Sequence, residues 1–189
     1  MNSIITLLLA GTAALAAPLQ PQATATNATC LERSQQLQHW NVEKFDFHSS
    51  YIFTNPAHQN SHGYVNFTLA NPALDETATC TASSSQLSEF FYGNQVFNCD
   101  VPASLGGPAT FTYSRTTGDL QINQTWTCPD EQARFSAMGG VTLDLHCRDE
   151  TWQNPDWEQG QFYSVRTVTC NHVDAQAPIR EISGIRRKV

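Results

Sequence analysis

At 189 residues, with 10 basic against 17 acidic side chains and a formal charge of −7 at pH 7, the chain is acidic. Its two lysines, Lys44 and Lys188, do not build the cationic surface that nucleic acid or an anionic membrane selects, so both are excluded as partners. Apolar residues at 40% and aromatics at 10% supply a core and exclude a disordered chain.

Ile4 to Ala10 is apolar apart from Thr6 and runs into Gly11-Thr12-Ala13-Ala14-Leu15-Ala16-Ala17. Ala14-x-Ala16 before Pro18 has the small-residue spacing of a cleavage site, which predicts a secretory signal over 1–17 and an extracellular protein. An apolar run of about 14 residues is short for a bilayer span. Export also sets the redox chemistry, because thiols outside the cytosol oxidise. The remainder, about 170 residues, suits one domain. A Pro-, Gln- and Thr-rich flexible leader is predicted over 18–29, the folded domain over 30–174, and a basic flexible tail over 175–189. Arg180, Arg186, Arg187 and Lys188 give that tail its charge.

From Trp40 onward apolar residues alternate with polar ones, the period of half-buried strands. Strands are predicted at Trp40–Phe47, Tyr51–Phe53, Tyr64–Leu69, Thr77–Ala82, Gln95–Cys99, Thr110–Ser114, Leu120–Thr127, Arg134–Cys147 and Phe162–Cys170. Asn-Pro, Gly-Asn, Gly-Asp and Pro-Asp breakers separate them. Leu87–Tyr92 is the one segment with the look of a helical turn. In Arg134–Cys147 one apolar phase survives Gly139-Gly140, which predicts a single long strand bent at the glycines. Such strands curl sheets into barrels or carry them between layers. The predicted fold is all-β, an extended antiparallel β-barrel or β-sandwich with disulfides.

Six cysteines in an exported chain read as a disulfide framework, and no metal-ligand spacing competes. Cys80 and Cys99 are joined by one loop and are the easiest pair. Cys128 and Cys147 share the same spacing, but a hairpin about Pro129-Asp130 would carry them far beyond bridging distance. Cys147–Cys170 and, by elimination, Cys30–Cys128 complete the expected set. Sequons stand at Asn27, Asn66 and Asn123; the last two lie out of phase with the apolar face of their strands, which would leave room for a glycan.

Three segments in order carry a resemblance: Trp40-Asn41-Val42-Glu43-Lys44-Phe45, Thr79-Cys80-Thr81-Ala82, and Phe111-Thr112-Tyr113-Ser114-Arg115 leading through Gly118 to Leu120-Gln121-Ile122-Asn123-Gln124. Over Cys30 to Cys170 the chain resembles the fungal family of the major Alternaria allergen, small secreted β-barrel proteins that include plant-defence elicitors. The resemblance implies a non-catalytic effector, elicitor or allergen that binds a host defence protein or a small aromatic ligand. In the family's type member the cysteine matching Cys30 links two subunits. Here Cys128 offers Cys30 an internal partner, so a monomer or weak homodimer is expected.

No Gly-x-Ser-x-Gly elbow occurs. His39, His48, His58 and His62 cluster in sequence, but the loop predicted around His58 and His62 makes them surface histidines, and no metal or cofactor is expected. Paired carboxylates hydrolyse glycosides, and Asp144, Asp149, Glu150, Asp156 and Glu158 are the candidates for such a pair. Trp152 and Trp157 beside them offer a stacking platform for sugars or aromatic ligands, or else cap the barrel end. A secreted carbohydrate-active enzyme or sugar-binding module is therefore the alternative function. A lipocalin-like carrier is a third, disfavoured by the large apolar residues spread over the inward phases.

Overall fold

The computed structural model describes residues 28–187. The predicted signal, the sequon at Asn27, Lys188 and most of the predicted leader lie outside these residues. A short helix α1 (Cys30–Gln35) opens the fold, followed by ten strands: β1 (His39–Asn55), β2 (His58–Ala70), β3 (Thr77–Ser84), β4 (Phe97–Asp100), β5 (Ala109–Tyr113), β6 (Asp119–Cys128), β7 (Ala133–Thr142), β8 (Cys147–Gln153), β9 (Ser164–Cys170) and β10 (Val173–Arg186). β1 to β7 and β10 pair in a closed antiparallel ring, with β10 joining β7 to β1. Eight strands enclose a space that side chains can fill. Trp40, Phe45, Phe47, Phe67, Phe111, Tyr113, Leu120, Ile122 and Trp126 fill it, each essentially buried.

The chain is longer than the barrel needs, and the excess forms a flap. β1 pairs with β10 through His39–Phe45, then continues alongside β9 through His48–Phe53. A bulge at Lys44, whose φ is 53°, marks the change of partner, and its N–H donates to Asp174 Oδ1 at 2.6 Å. β8 adds to the far edge of β9, so β2, β1, β9 and β8 extend together beyond the barrel. The flap's inner face is covered by residues 85–96, which insert the buried Phe90 and Phe91. Gly63 makes room for this: a Cβ there would meet the Phe90 ring at 2.9 Å.

Several sequence expectations need correction. The basic tail is not a tail: residues 173–186 are strand, and β10 closes the barrel, so the domain does not stop at 174. Its weak alternation reflects a strand exposed along most of its length. Arg134–Cys147 is not one strand; it breaks over 143–146, where the Leu143 N–H is taken by Gly118 O as β6 runs out. The chain then resumes as β8. Leu87–Tyr92 is irregular, with Ser88 and Phe90 at positive φ, and the helix lies instead at Cys30–Gln35. Thr29, placed in the predicted leader, caps that helix: its hydroxyl accepts from Glu32 N–H while the Glu32 carboxylate accepts from Thr29 N–H. His58 and His62 belong to β2, not to a loop.

The bridges are Cys30–Cys128, Cys80–Cys99 and Cys147–Cys170. Two of them join residues that face each other directly across a strand pair, β3 to β4 and β8 to β9. The first anchors α1 over one barrel end. There the Trp126 indole N–H donates to the buried Ser34 Oγ at 2.9 Å.

Candidate binding face

Strand pairing sets the outer face of the flap as a grid. One row runs Asn60, Ile52, Val165, Trp152 across β2, β1, β9 and β8. The next runs His62, Ser50, Thr167, Glu150, and the third Tyr64, His48, Thr169, Arg148. Each row crosses about 14 Å of sheet at the usual strand spacing. Trp152 is 52% exposed and has no aromatic ring partner among the described residues. Beside it a groove of about 400 Å³ is lined by His146, Arg148, Glu150, Thr167, Thr169 and Asn171.

The third row is fixed from below. The His48 ring stacks on Tyr64 with centroids 5.2 Å apart, and His48 Nδ1 lies 2.8 Å from Asp46 Oδ1. His172, in the turn between β9 and β10, approaches the same oxygen at 3.6 Å. Asp46 therefore sits between two imidazoles where flap and barrel part. His39 and His58 take no part in this group. Among the described residues no three His, Cys, Asp or Glu side chains converge as metal ligands.

On the inner face Arg166 grips Asp149 through both carboxylate oxygens while its guanidinium lies 4.8 Å over the Tyr51 ring. This hydrogen bonding holds the Asp149 carboxyl below its usual range, so Asp149 is ionised and is no proton donor at neutral pH. Glu150 projects on the opposite face, 3.8 Å from Arg148. Asp144 lies 3.9 Å from His146 in the segment before β8. Asp156 and Glu158 are exposed in the loop after β8, where the Asp156 N–H donates to Asn154 Oδ1. The five candidate carboxylates are thus spread over two faces and two loops and do not gather around one groove.

The two tryptophans part in the same way. Trp157 is held in its own loop: its indole N–H donates to Gln161 O at 3.0 Å and its ring meets Tyr163 edge-on. Trp152 alone lies on the open grid. Asn123 is exposed on the outside of β6, and Asn66, on β2, is half-buried beside Asp46.

A filled eight-stranded barrel extended by a four-stranded flap and pinned by three disulfides defines the class: a small disulfide-linked β-barrel whose accessible surface is external. Within that class the chain belongs to the Alternaria alternata allergen 1 family, whose family model matches residues 42–170. The match runs from the first barrel strand to the end of the flap. No curated protein and no solved structure shows significant similarity to the chain.

The sequence reading missed the polar device inside the barrel. Gln124 occupies an inward position of β6, where its Oε1 accepts from Trp40 Nε1 at 2.8 Å and Asn71 Nδ2 at 2.9 Å. The signal was present, since Gln124 interrupts the apolar phase Leu120, Ile122, Trp126, Cys128.

Proposed function

We propose that the chain is a secreted, non-catalytic binding protein of the allergen family, an effector or elicitor that engages a host defence protein or small aromatic ligand on the outer face of its flap. The observation that carries this reading is the exposed Trp152 at the edge of an open, solvent-facing grid, against a barrel interior packed with aromatic side chains. A filled barrel has no chamber for cargo, so recognition has to occur outside. An exposed indole on a rigid strand offers a large flat surface at small entropic cost. The apolar start of the chain supports export.

The alternative, a sugar-binding module, is favoured by one feature: the apolar row Ile52, Val165, Trp152 runs beside a row of hydrogen-bonding side chains. Pyranose rings present that same pairing of an apolar face and polar rim. Titration of the mature protein with planar phenols and with cell-wall oligosaccharides, followed by tryptophan fluorescence, separates the two. Saturable quenching by the phenols, lost in Trp152→Ala and kept in Trp157→Ala, is the expected result. Saturation by oligosaccharides alone selects the sugar-binding reading. Polysaccharide turnover that disappears in Asp156→Asn or Glu158→Gln would replace both with an enzyme. Secretion is checked by amino-terminal sequencing of the protein from culture medium, expected to begin at Ala17 or Pro18.

A further inference from the structure

Closure of the barrel removes most sheet edges, but among the described residues β8 pairs only with β9 and leaves its other side open. Which backbone groups it leaves open follows from the ladder. Asn171 N–H donates to His146 O, and Asn154 N–H donates to Tyr163 O. These two contacts place the even-numbered residues of this segment in the hydrogen-bonded pairs with β9. In an antiparallel ladder the alternate residues turn their N–H and C=O the other way. Cys147, Asp149, Thr151 and Gln153 therefore direct both backbone groups to the free edge. No backbone partner on that side is present among the described residues. Arg148 to Gln153 are all exposed.

We propose that β8 pairs antiparallel with β8 of a second copy of this chain, about a two-fold axis at Asp149. A two-fold strand pair must set odd residues opposite odd residues, because only those carry free backbone groups. Three registers satisfy this near the strand centre, and charge separates them. An axis at Glu150 sets Glu150 against its own copy in the close, non-hydrogen-bonded position, where like charges repel. An axis at Thr151 pairs no opposite charges. The axis at Asp149 sets Arg148 opposite Glu150 of the second copy, and Glu150 opposite its Arg148, both in the close position on the outer face. It also brings His146 beside Trp152 of the second copy. The two Asp149 side chains meet in the wider, hydrogen-bonded position on the inner face, and each is already neutralised by its own Arg166. Cys147 and Thr151 complete the ladder on either side.

The product is one continuous eight-stranded sheet made of two flaps, with the outer grids side by side. The pairing shares Arg148, Glu150 and Trp152 with the grid but needs no ligand there, so the proposal does not rest on the function proposed above. The disulfides lie within each chain, so the pairing is non-covalent.

Sedimentation equilibrium of the mature protein over a range of concentrations tests the proposal, with Arg148→Glu, Glu150→Arg and the double exchange as variants. A reversible dimer is expected, with each single reversal weakening it about tenfold or more, since each sets two like-charge pairs face to face. The double exchange is expected to restore dimerisation to within about threefold of the original. Neither side chain is buried, so far-ultraviolet circular dichroism should be the same for all four proteins. A protein that stays monomeric at every concentration overturns the proposal. So does a dimer indifferent to the single reversals, or one not recovered by the double exchange.

Discussion

Trp40 and Gln124 meet inside the barrel from different strands, the indole N–H of one donating to the amide oxygen of the other at 2.8 Å. The oxygen also accepts from Asn71, so one buried acceptor satisfies two donors from separate segments of chain. Asn71 in turn caps the turn after β2, its side-chain oxygen accepting from Ala73 N–H. Replacing Gln124 by Met keeps the volume and strands both donors. The expected loss is about 2–4 kcal/mol, the cost of leaving two buried polar groups unpaired, read as a lower urea midpoint at unchanged slope.

Tyr113 presents the opposite case. Its ring packs against Phe45 at 5.0 Å, but its buried hydroxyl has no hydrogen-bond partner among the described residues. Burial pushes the phenol up to about 12 from its usual 10.0. The neutral form is the one the fold accepts, so this contribution is intact below pH 10 and lost as pH rises through 12. Tyr113→Phe should stabilise the protein by about 1 kcal/mol at neutral pH, since it removes an unsatisfied group and keeps the ring. It should also flatten the alkaline limb of a stability–pH curve. Thermal melts between pH 7 and 12 check both.

Cys80 is fully buried and bridges to Cys99 across the β3–β4 pair. Cys80→Ser should cost about 2–5 kcal/mol, from a looser unfolded state held back no longer and a hydroxyl placed in the core. Secretion should fall accordingly. Expression at the original level would count against a structural role for the bridge.

Gly139 lies where β7 meets β10, and a methyl group there would run into the carbonyl oxygen of Pro178. The obstacle is backbone, which cannot turn aside as a side chain can. Gly139→Ala should therefore destabilise by about 1–3 kcal/mol, with hydrogen exchange quickening first along the β7–β10 pair.

Arg166→Gln removes the grip on Asp149. Asp149 is an exposed carboxylate whose pKa is lowered by this partner, so its contribution is present above its unfolded value of 3.8 and lost as pH falls. The change should cost no more than about 1 kcal/mol at neutral pH and should shrink the acid-side loss of stability, measured by urea unfolding at pH 3 and pH 7.

The barrel was legible because its strands are wet on one side and dry on the other. Val65, Phe67 and Leu69 alternate in sequence and are buried in the fold, and so are Leu120, Ile122 and Trp126. β8 gave no such signal: Cys-Arg-Asp-Glu-Thr-Trp-Gln is exposed along almost its whole length, and a strand with no dry face has no period. β10 was obscured for the same reason, with Pro178 adding a breaker inside it. The helix was readable in principle, since Thr29-x-x-Glu32 is a capping box, but six residues are too few for an apolar stripe. Of the binding face, Trp152 was identified from its neighbours in sequence. Its companions, Ile52 from a strand about a hundred residues earlier and Val165 from the next strand of the chain, could be assigned only once the register was known.

The seam between β1 and β10 joins His39 to Pro178, near opposite ends of the described chain. Contacts so distant in sequence form late, because the entropy of closing the intervening loop must be met before they give anything back. Until then two long, unprotected borders stand open, and each matches the missing neighbour in any other molecule of the same protein. Crowded nascent chains thus face a choice between sealing themselves and exchanging their final staves, and slow dilution should favour the solitary outcome.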